Sequence, residues 1–289
     1  MAETALDQPH EDPTPTPTPP ETVFADVLCA VDGSKASYEA VRQAAALAGC
    51  HGRLTLLAVT AVSGSGPTEV AAISPTRAAD ALALAEQIAR KAGVPATRVV
   101  DPGGPPAKVV VERAARHDLL AMGAPSSSWI GALLVGGVTE MALRSLTTPL
   151  LMARRGPSST PFPKRIVLAS DGGDDSDALV ELGARLARAH EGGAILVHAV
   201  GVESQSRPHR IEAQARALER ALPEAFEVHI EPTGAFDAIV ERANGAGASL
   251  IVMGWRRREG LRALGSVSAR MVHEAPCSVL LVPPPQTDA

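Results

Sequence analysis

DLLAMGAPSSSWIGALLVGGVTEMALRSLTTPLLMARR, from Asp118 to Arg155, decides how the chain is read. It holds a short apolar run ending in Met122-Gly123, a polar loop, a helix pattern opened by Gly136 and Gly137, and a second apolar run. Short apolar runs bounded by turn residues suit strands buried on both faces. A glycine-opened helix that follows such a strand leaves backbone N–H groups pointing at one spot, a place for an anion, usually a phosphate. A second copy closes the chain: SLIVMGWRRREGLRALGSVSARMVHEAPCSVLLV, Ser249 to Val282.

Working outward, the two copies belong to two longer repeats. Asp32 pairs with Asp171, Met122 with Met253 and Gly136 with Gly265, in one order and near register. The second copy is shorter, and its glycine loop alone lacks two residues. Such agreement marks an internal duplication. In the first half, strands are expected at Phe24–Val31, Leu54–Val62, Thr97–Val100, Leu119–Met122 and Leu150–Ala153. Helices are expected after Ser37, which suits an N-cap, and at Thr76–Lys91, Pro105–Arg116 and Val138–Leu146. In the second half, the strands are Ile166–Ala169, Ala194–Val200, Glu227–Ile230, Leu250–Met253 and Val279–Val282. Its helices carry Leu179, Leu182 and Leu186 on one face, then span Pro208–Ala221, Phe236–Asn244 and Val267–Glu274. Alternating strands and helices imply a mainly parallel sheet covered on both faces. Ligands in such sheets sit beyond the carboxyl ends of the strands, where the strand order reverses.

Composition narrows the class. The 289 residues are enough for two domains, and 45% of them are apolar. Aromatics make up only 2%, so the core must be close-packed Ala, Val and Leu. A formal charge of −5 argues against nucleic acid as a partner. No run approaches the ~20 apolar residues of a membrane span, and the N-terminus lacks a basic and apolar signal segment. Cys29, Cys50 and Cys277 form no C-x-x-C pair and read as reduced thiols, small buried fillers in a cytoplasmic protein. Residues 1–22, with PTPTPTPP, read as a disordered tail, and GPSSTPFP at 156–163 as a linker. That leaves domains at 23–155 and 164–283 and a short tail at 284–289.

These residues resemble the universal stress protein family in its tandem two-domain form. The resemblance rests on strand–Asp-Gly turns with a serine five residues after the aspartate (Asp32-Gly33-Ser34 to Ser37; Asp171-Gly172-Gly173 to Ser176). It rests also on Met-Gly after the fourth strand, a glycine-opened fourth helix, and the ending AlaProCysSerValLeuLeuVal at 275–282. It implies two Rossmann-like domains of the adenine nucleotide alpha hydrolase type. Each would have a five-stranded parallel sheet between helices, and the two last strands would pair within one chain. It implies ATP or another adenine nucleotide as ligand, with or without Mg2+. The aspartate after the first strand and the backbone of the second strand would hold adenosine, and G-x2-G-x9-G-[S/T] would hold ribose and phosphates.

In the first half that pattern falls on Asp32, Gly33, Ser34, Val59 and Gly123, with Ser126 in place of the second glycine, then Gly136, Gly137 in place of Ser/Thr, and Thr139 as a substitute hydroxyl. No lysine or arginine occupies the loop. In the second half it falls on Asp171, Ala199, Gly254, Gly265, Ser266 and Ser268, with Arg257 replacing the second glycine. Arg256, Arg257 and Arg258 could clamp phosphates or fill the pocket. Trp255 could cover the cleft, stack on a base or be a packed indole. The second site reads as degenerate and the first as the more competent.

Two rival readings stand beside the nucleotide-binding regulator. One is an interaction scaffold with empty pockets and an unknown protein partner, in which a homodimer is also open. The other is an enzyme, because Asp171 to Ser176 resembles the SGGxDS loop of ATP pyrophosphatases. Asp171 at the serine position would repel phosphate unless bridged by metal. No general base is evident, so hydrolysis is expected to be slow and incidental. No metal site is expected: the histidines are scattered, Asp174, Asp175 and Asp177 suit a helix start, and His198 reads as a satisfied buried histidine.

Overall fold

The computed structural model describes residues 21–60, 73–124, 138–156, 160–173, 175–200, 208–255 and 266–284. The first half runs β1 (Asp26–Ala30), α1 (Lys35–Ala48), β2 (Arg53–Val59), α2 (Pro75–Lys91), β3 (Ala96–Asp101), α3 (Pro106–Ala114), β4 (Leu119–Gly123), α4 (Val138–Ser145) and β5 (Leu150–Ala153). The second repeats it: β6 (Arg165–Ala169), α5 (Ser176–Ala189), β7 (Gly193–Ala199), α6 (Pro208–Ala221), β8 (Phe226–Glu231), α7 (Ala235–Ala246), β9 (Leu250–Gly254), α8 (Ser266–Glu274) and β10 (Ser278–Val282).

The ten strands form one sheet, ordered β3-β2-β1-β4-β5-β10-β9-β6-β7-β8. Neighbours within each half run parallel, as in β1 beside β4 and β6 beside β9. The halves meet through a single antiparallel pair, β5 with β10, in which Met152 faces Val279 and Leu150 faces Leu281. The two expected five-stranded sheets are therefore one continuous sheet, and both last strands have partners on each side. The central strands bury both faces, which is why LLAM and LLMA are unbroken apolar runs and β10 is apolar after its buried Ser278. The outer strands, ATRVVD and FEVHIE, carry charges and are half exposed, which discourages further edge pairing.

Pleat alternation splits the core into two layers. Val27 and Cys29 face a layer built with α1, α2, α5 and α6, including Ala44, Leu82, Leu186 and Leu218. Leu28 faces the layer of α3, α4, α7 and α8, including Val110, Leu143, Ile239 and Val272. Both layers run through both halves. Alanines such as Ala40, Ala44, Ala81 and Ala85, all at or near full burial, let helices lie close on the sheet. Among the described residues no helix is long and apolar enough to cross a membrane.

Polar contacts also tie the halves together. Gln43 on α1 donates to the Arg154 carbonyl (2.7 Å) and accepts from the fully buried Ser278 hydroxyl (2.7 Å). The Arg154 N–H donates to Ser278 Oγ (2.9 Å), and its guanidinium donates to the Val272 carbonyl. Glu21 sits between Arg185 and Arg188 of α5 (2.5 and 2.6 Å), and both arginines lower its carboxyl pKa. The tail expected to run to residue 22 thus meets held chain at its end, and residues 1–20 lie outside the described set.

Two expectations need correction. Ser37 is not the N-cap of α1: Ser34 is, its Oγ accepting the Ser37 N–H (3.1 Å), while buried Ser37 donates its hydroxyl to the Ser34 carbonyl (3.0 Å). The cap must sit three residues ahead of the amide it serves, and Ser34 is that residue. Nor are all the cysteines fillers. Cys29 and Cys277 are buried, and burial pushes both thiols up, Cys277 to about 12 despite Arg154 nearby; Cys50 is exposed.

Candidate functional site

In each half the chain lays down three strands on one side, then crosses to place the fourth on the other side of the first. The switch point lies between β1 and β4 in the first half and between β6 and β9 in the second. Asp32 and Gly123 stand at the carboxyl end of one switch, Asp171 and Gly254 at the other. The helices that follow β4 and β9, α4 and α8, pack in the layer that also holds α3 and α7.

At the first switch Asp32 is exposed, and its Oδ1 accepts the Ser34 N–H (2.8 Å). Burial raises its pKa, but the Ser34 hydroxyl and amide and the Ser37 hydroxyl together hold it below the ordinary value. Gly33 closes the turn at φ +81°, where other residues are strained. A Cβ there would stand 3.6 Å from Arg77 Nε and 3.8 Å from Tyr38 Oη. Val59 ends β2, buried, and its carbonyl already accepts the Ile73 N–H (3.3 Å). Gly123 lies so close to α1 that a Cβ would fall 2.5 Å from the Ala36 carbonyl carbon. Thr139, the second residue of α4, is half-buried. Ser126, Gly136 and Gly137 lie outside the described residues.

The second switch shares the plan but not the chemistry. Asp171 Oδ1 accepts the Gly173 N–H (2.8 Å) and the Ser176 hydroxyl (2.7 Å). Behind it, the Ser170 hydroxyl donates to Gln214 Oε1 (2.6 Å), and Gln214 Nε2 donates to Asp177 Oδ1 (2.7 Å), while Asp177 Oδ2 meets Arg210 (3.2 Å). His198 is buried, as expected, but only half satisfied. Nδ1 must carry its proton, because its partner is the Ser170 carbonyl (2.9 Å), and Nε2 has no partner among the described residues. Ser268, buried on α8, donates to the Gly254 carbonyl (3.4 Å). Ser266 opens α8 and Ala199 ends β7. Arg256, Arg257, Arg258 and Gly265 lie outside the described residues.

The residue after each Met-Gly separates the two crevices. Ala124 and Trp255 occupy this position, and both donate their N–H to the end of a last strand, Ala153 O and Val282 O. Both side chains lie in the layer that packs against α3, α4, α7 and α8. The first is a methyl group, 7% exposed; the second is an indole, 2% exposed, with Nε1 buried and unpartnered among the described residues. Trp255 is thus a packed indole, not an open cleft cover. The pairing of Ala124 with Trp255 was visible in the sequence; Arg77, Tyr38, Ile73 and Gln214 were not, because only the packing of α1, α2 and α6 brings them to the switch points.

Among the described residues no group of three His, Cys, Asp or Glu side chains could hold a metal ion. A surface depression of about 330 Å³, lined by Arg165, Glu227, Glu241 and Arg242, lies beside the start of β6, away from both switch points.

Comparison with known proteins agrees with this architecture. The family model described as Universal stress protein family matches residues 24–154 and again 163–283. A curated relative from Thermus aquaticus, the universal stress protein in the QAH/OAS sulfhydrylase 3'region, is 36% identical over 138 residues, spanning 41% of this chain and 98% of its own. The crystal structure of a universal stress protein from Archaeoglobus fulgidus DSM 4304 superposes with a TM-score of 0.74 at 19% identity, over 91% of this chain and 97% of that one. A functionally unknown protein from Pseudomonas aeruginosa PAO1 follows with a TM-score of 0.60 at 17% identity, over 90% and 93%.

Proposed function

The chain belongs to the universal stress protein family, as two such domains in tandem, and from that premise we propose that it binds an adenine nucleotide in the crevice of its first half. The ligand is ATP or a relative, with or without Mg2+, and the role is that of a cytoplasmic stress-response regulator. The observation that carries this reading is the contrast between Ala124 and Trp255: the first crevice keeps a methyl group where the second holds a buried indole. Asp32 is ionised and faces the switch point, suited to accept from ribose hydroxyls or the adenine amino group. On this reading Thr139, the second residue of α4, supplies a hydroxyl to the phosphates.

The second half is read as degenerate. Its serine and aspartate groups are consumed in holding the turn, with Ser268 on Gly254 and Ser176 on Asp171. The same contacts argue against a pyrophosphatase-like loop, because Asp171 accepts donors from its own turn. Any hydrolysis would be slow and incidental.

A nucleotide-free scaffold is favoured by one observation: Asp32 Oδ1 and the Val59 carbonyl are already engaged by the chain itself. Titration calorimetry with ATP, ADP, AMP and cyclic AMP separates the two. The expected result is one site per chain, lost in Ala124→Trp and at least tenfold weaker in Asp32→Ala. Heat of binding from none of the four, or binding untouched by both substitutions, overturns the first-half assignment. Bound nucleotide at 100 times Kd should also stabilise the fold by about 2.7 kcal/mol.

A further inference from the structure

One corner of the fold is filled in the first half and open in the second. The helices α3 and α7 carry matching runs, Val111-Glu112-Arg113 and Val240-Glu241-Arg242. Their arginines make matching ion pairs with the outer strands, Arg113 with Asp101 (2.6 Å) and Arg242 with Glu231. In the first half the chain continues to Arg116 and His117. The His117 Nδ1 donates to the Arg113 carbonyl (3.0 Å), and Nε2 lies 3.8 Å from Asp26 Oδ1 at the start of β1, so the imidazole plugs the corner. In the second half Gly245 and Ala246 stand in the places of Arg116 and His117, and Arg165 in the place of Asp26. The corner there is the depression of about 330 Å³ beside the start of β6. That is the lower end of the ~300–1,000 Å³ found for small-molecule pockets.

Gly245 keeps that space. It lies inside α7, and a Cβ there would meet nothing within 4 Å. Glycine weakens a helix relative to alanine, and here neither a left-handed φ nor crowding calls for it. Four charged side chains line the depression: Arg165, Glu227, Glu241 and Arg242. Two of them are spent, Arg242 on Glu231 and Glu227 on His229 Nε2 (3.0 Å). The other two are not. Arg165 gives one N–H to the Ala246 carbonyl (2.9 Å) and has no carboxylate partner among the described residues. Exposed Glu241 has no cation partner among them. One unspent cation and one unspent anion therefore face the same hollow without pairing with each other.

We propose that this depression binds a small zwitterion, a free α-amino acid with an uncharged side chain, its carboxylate against Arg165 and its ammonium against Glu241. A ligand of one charge leaves either the arginine or the glutamate unanswered, and a zwitterion answers both. Hydrogen bonds between ionised partners of this kind are the strong ones. Because the charges are exposed, binding weakens as salt rises. The depression lies away from both switch points, so the site is independent of the nucleotide crevice.

The test titrates glycine, L-alanine, L-serine and L-glutamine into the full chain by calorimetry, with propionate and ethylamine as ligands of single charge. The expected result is one site per chain for at least one of the four amino acids, at least tenfold tighter than for propionate or ethylamine. That affinity should fall at least tenfold in Glu241→Gln and in Arg165→Gln, and vanish in Gly245→Leu, whose side chain fills the hollow. Leucine is a better helix former than glycine, so Gly245→Leu should melt no lower than wild type, which separates a blocked site from a damaged fold. ATP affinity should be the same in wild type and all three variants. Binding of none of the four amino acids overturns the proposal. So does binding that survives Glu241→Gln or Gly245→Leu, or propionate or ethylamine bound as tightly as the amino acid.

Discussion

The turn after β1 and the turn after β6 began as copies, and they are held by different physics. Gly33 and Gly172 both take a left-handed φ, but the first turn adds close approach: Gly123 presses against the backbone of Ala36, and Val31 packs in the apolar layer. The second relies on buried hydrogen bonds: Ser170, Gln214, Asp177 and His198 knit β6, α5, α6 and β7. In both turns the aspartate Oδ1 accepts an N–H two residues on; only the second adds a buried side-chain network behind it.

The sharpest way to break that comparison is at the paired glycines. In Gly123→Ala the new methyl meets backbone atoms 2.5 to 2.7 Å away, which cannot swing aside. Overpacking of this kind is expected to cost about 1–3 kcal/mol. In Gly254→Ala the nearest atoms are 3.9 and 4.0 Å away, and the change should stay within about 0.5 kcal/mol. Urea unfolding of the two variants measures the gap, and equal losses would mean that the two turns are held alike.

A comparable effect, reduced where water enters, is expected at Gln214, 2% exposed. Gln214→Ala leaves the Ser170 hydroxyl without its acceptor and Asp177 with Arg210 alone. That should cost about 1–3 kcal/mol, partly offset if water enters. It should also leave any nucleotide affinity of the first half unchanged, which calorimetry on the same sample checks.

The smallest effect belongs to Asp32. Its folded pKa lies below the ordinary 3.8, so the folded state holds the ionised form more firmly than the unfolded chain does. Its contribution is therefore present above pH ~3.8 and is lost as pH falls through the depressed folded value. Asp32→Asn should flatten that part of the acid limb, read as the difference in melting temperature between pH 5 and pH 3. An unchanged slope would mean that the Ser34 and Ser37 bonds do not favour the carboxylate.

Much of the plan was legible because it depends on local pattern. Apolar runs bounded by glycine placed Leu119–Gly123 and Leu250–Gly254 within a residue, and the 3.6-residue period placed α2 and α6. Ser34 was missed as the cap because two serines three apart both suit the role, and only the Ser37 N–H direction distinguishes them. The acidic run at Asp174, Asp175 and Asp177 read as a helix start. That one member is tied to Gln214, 37 residues on, was not legible. The candidate site was legible as a motif in each half, but its contents were not, since Ala124 and Trp255 differ by what their neighbours enclose.

What the sequence determined by itself is the doubled β-α order, the buried central strands and the two Asp-Gly and Met-Gly turns, because each follows from residues within one or two helical turns of one another. What only the tertiary structure decided is how the copies join and diverge. The β5–β10 pair, the Gln43–Ser278 bond across 235 residues, the Glu21 bridge to α5 and the burial of Trp255 depend on distances that the chain acquires only when it folds. Side chains far apart in sequence carry no local signal of meeting, so their pairing is a property of the packed sheet.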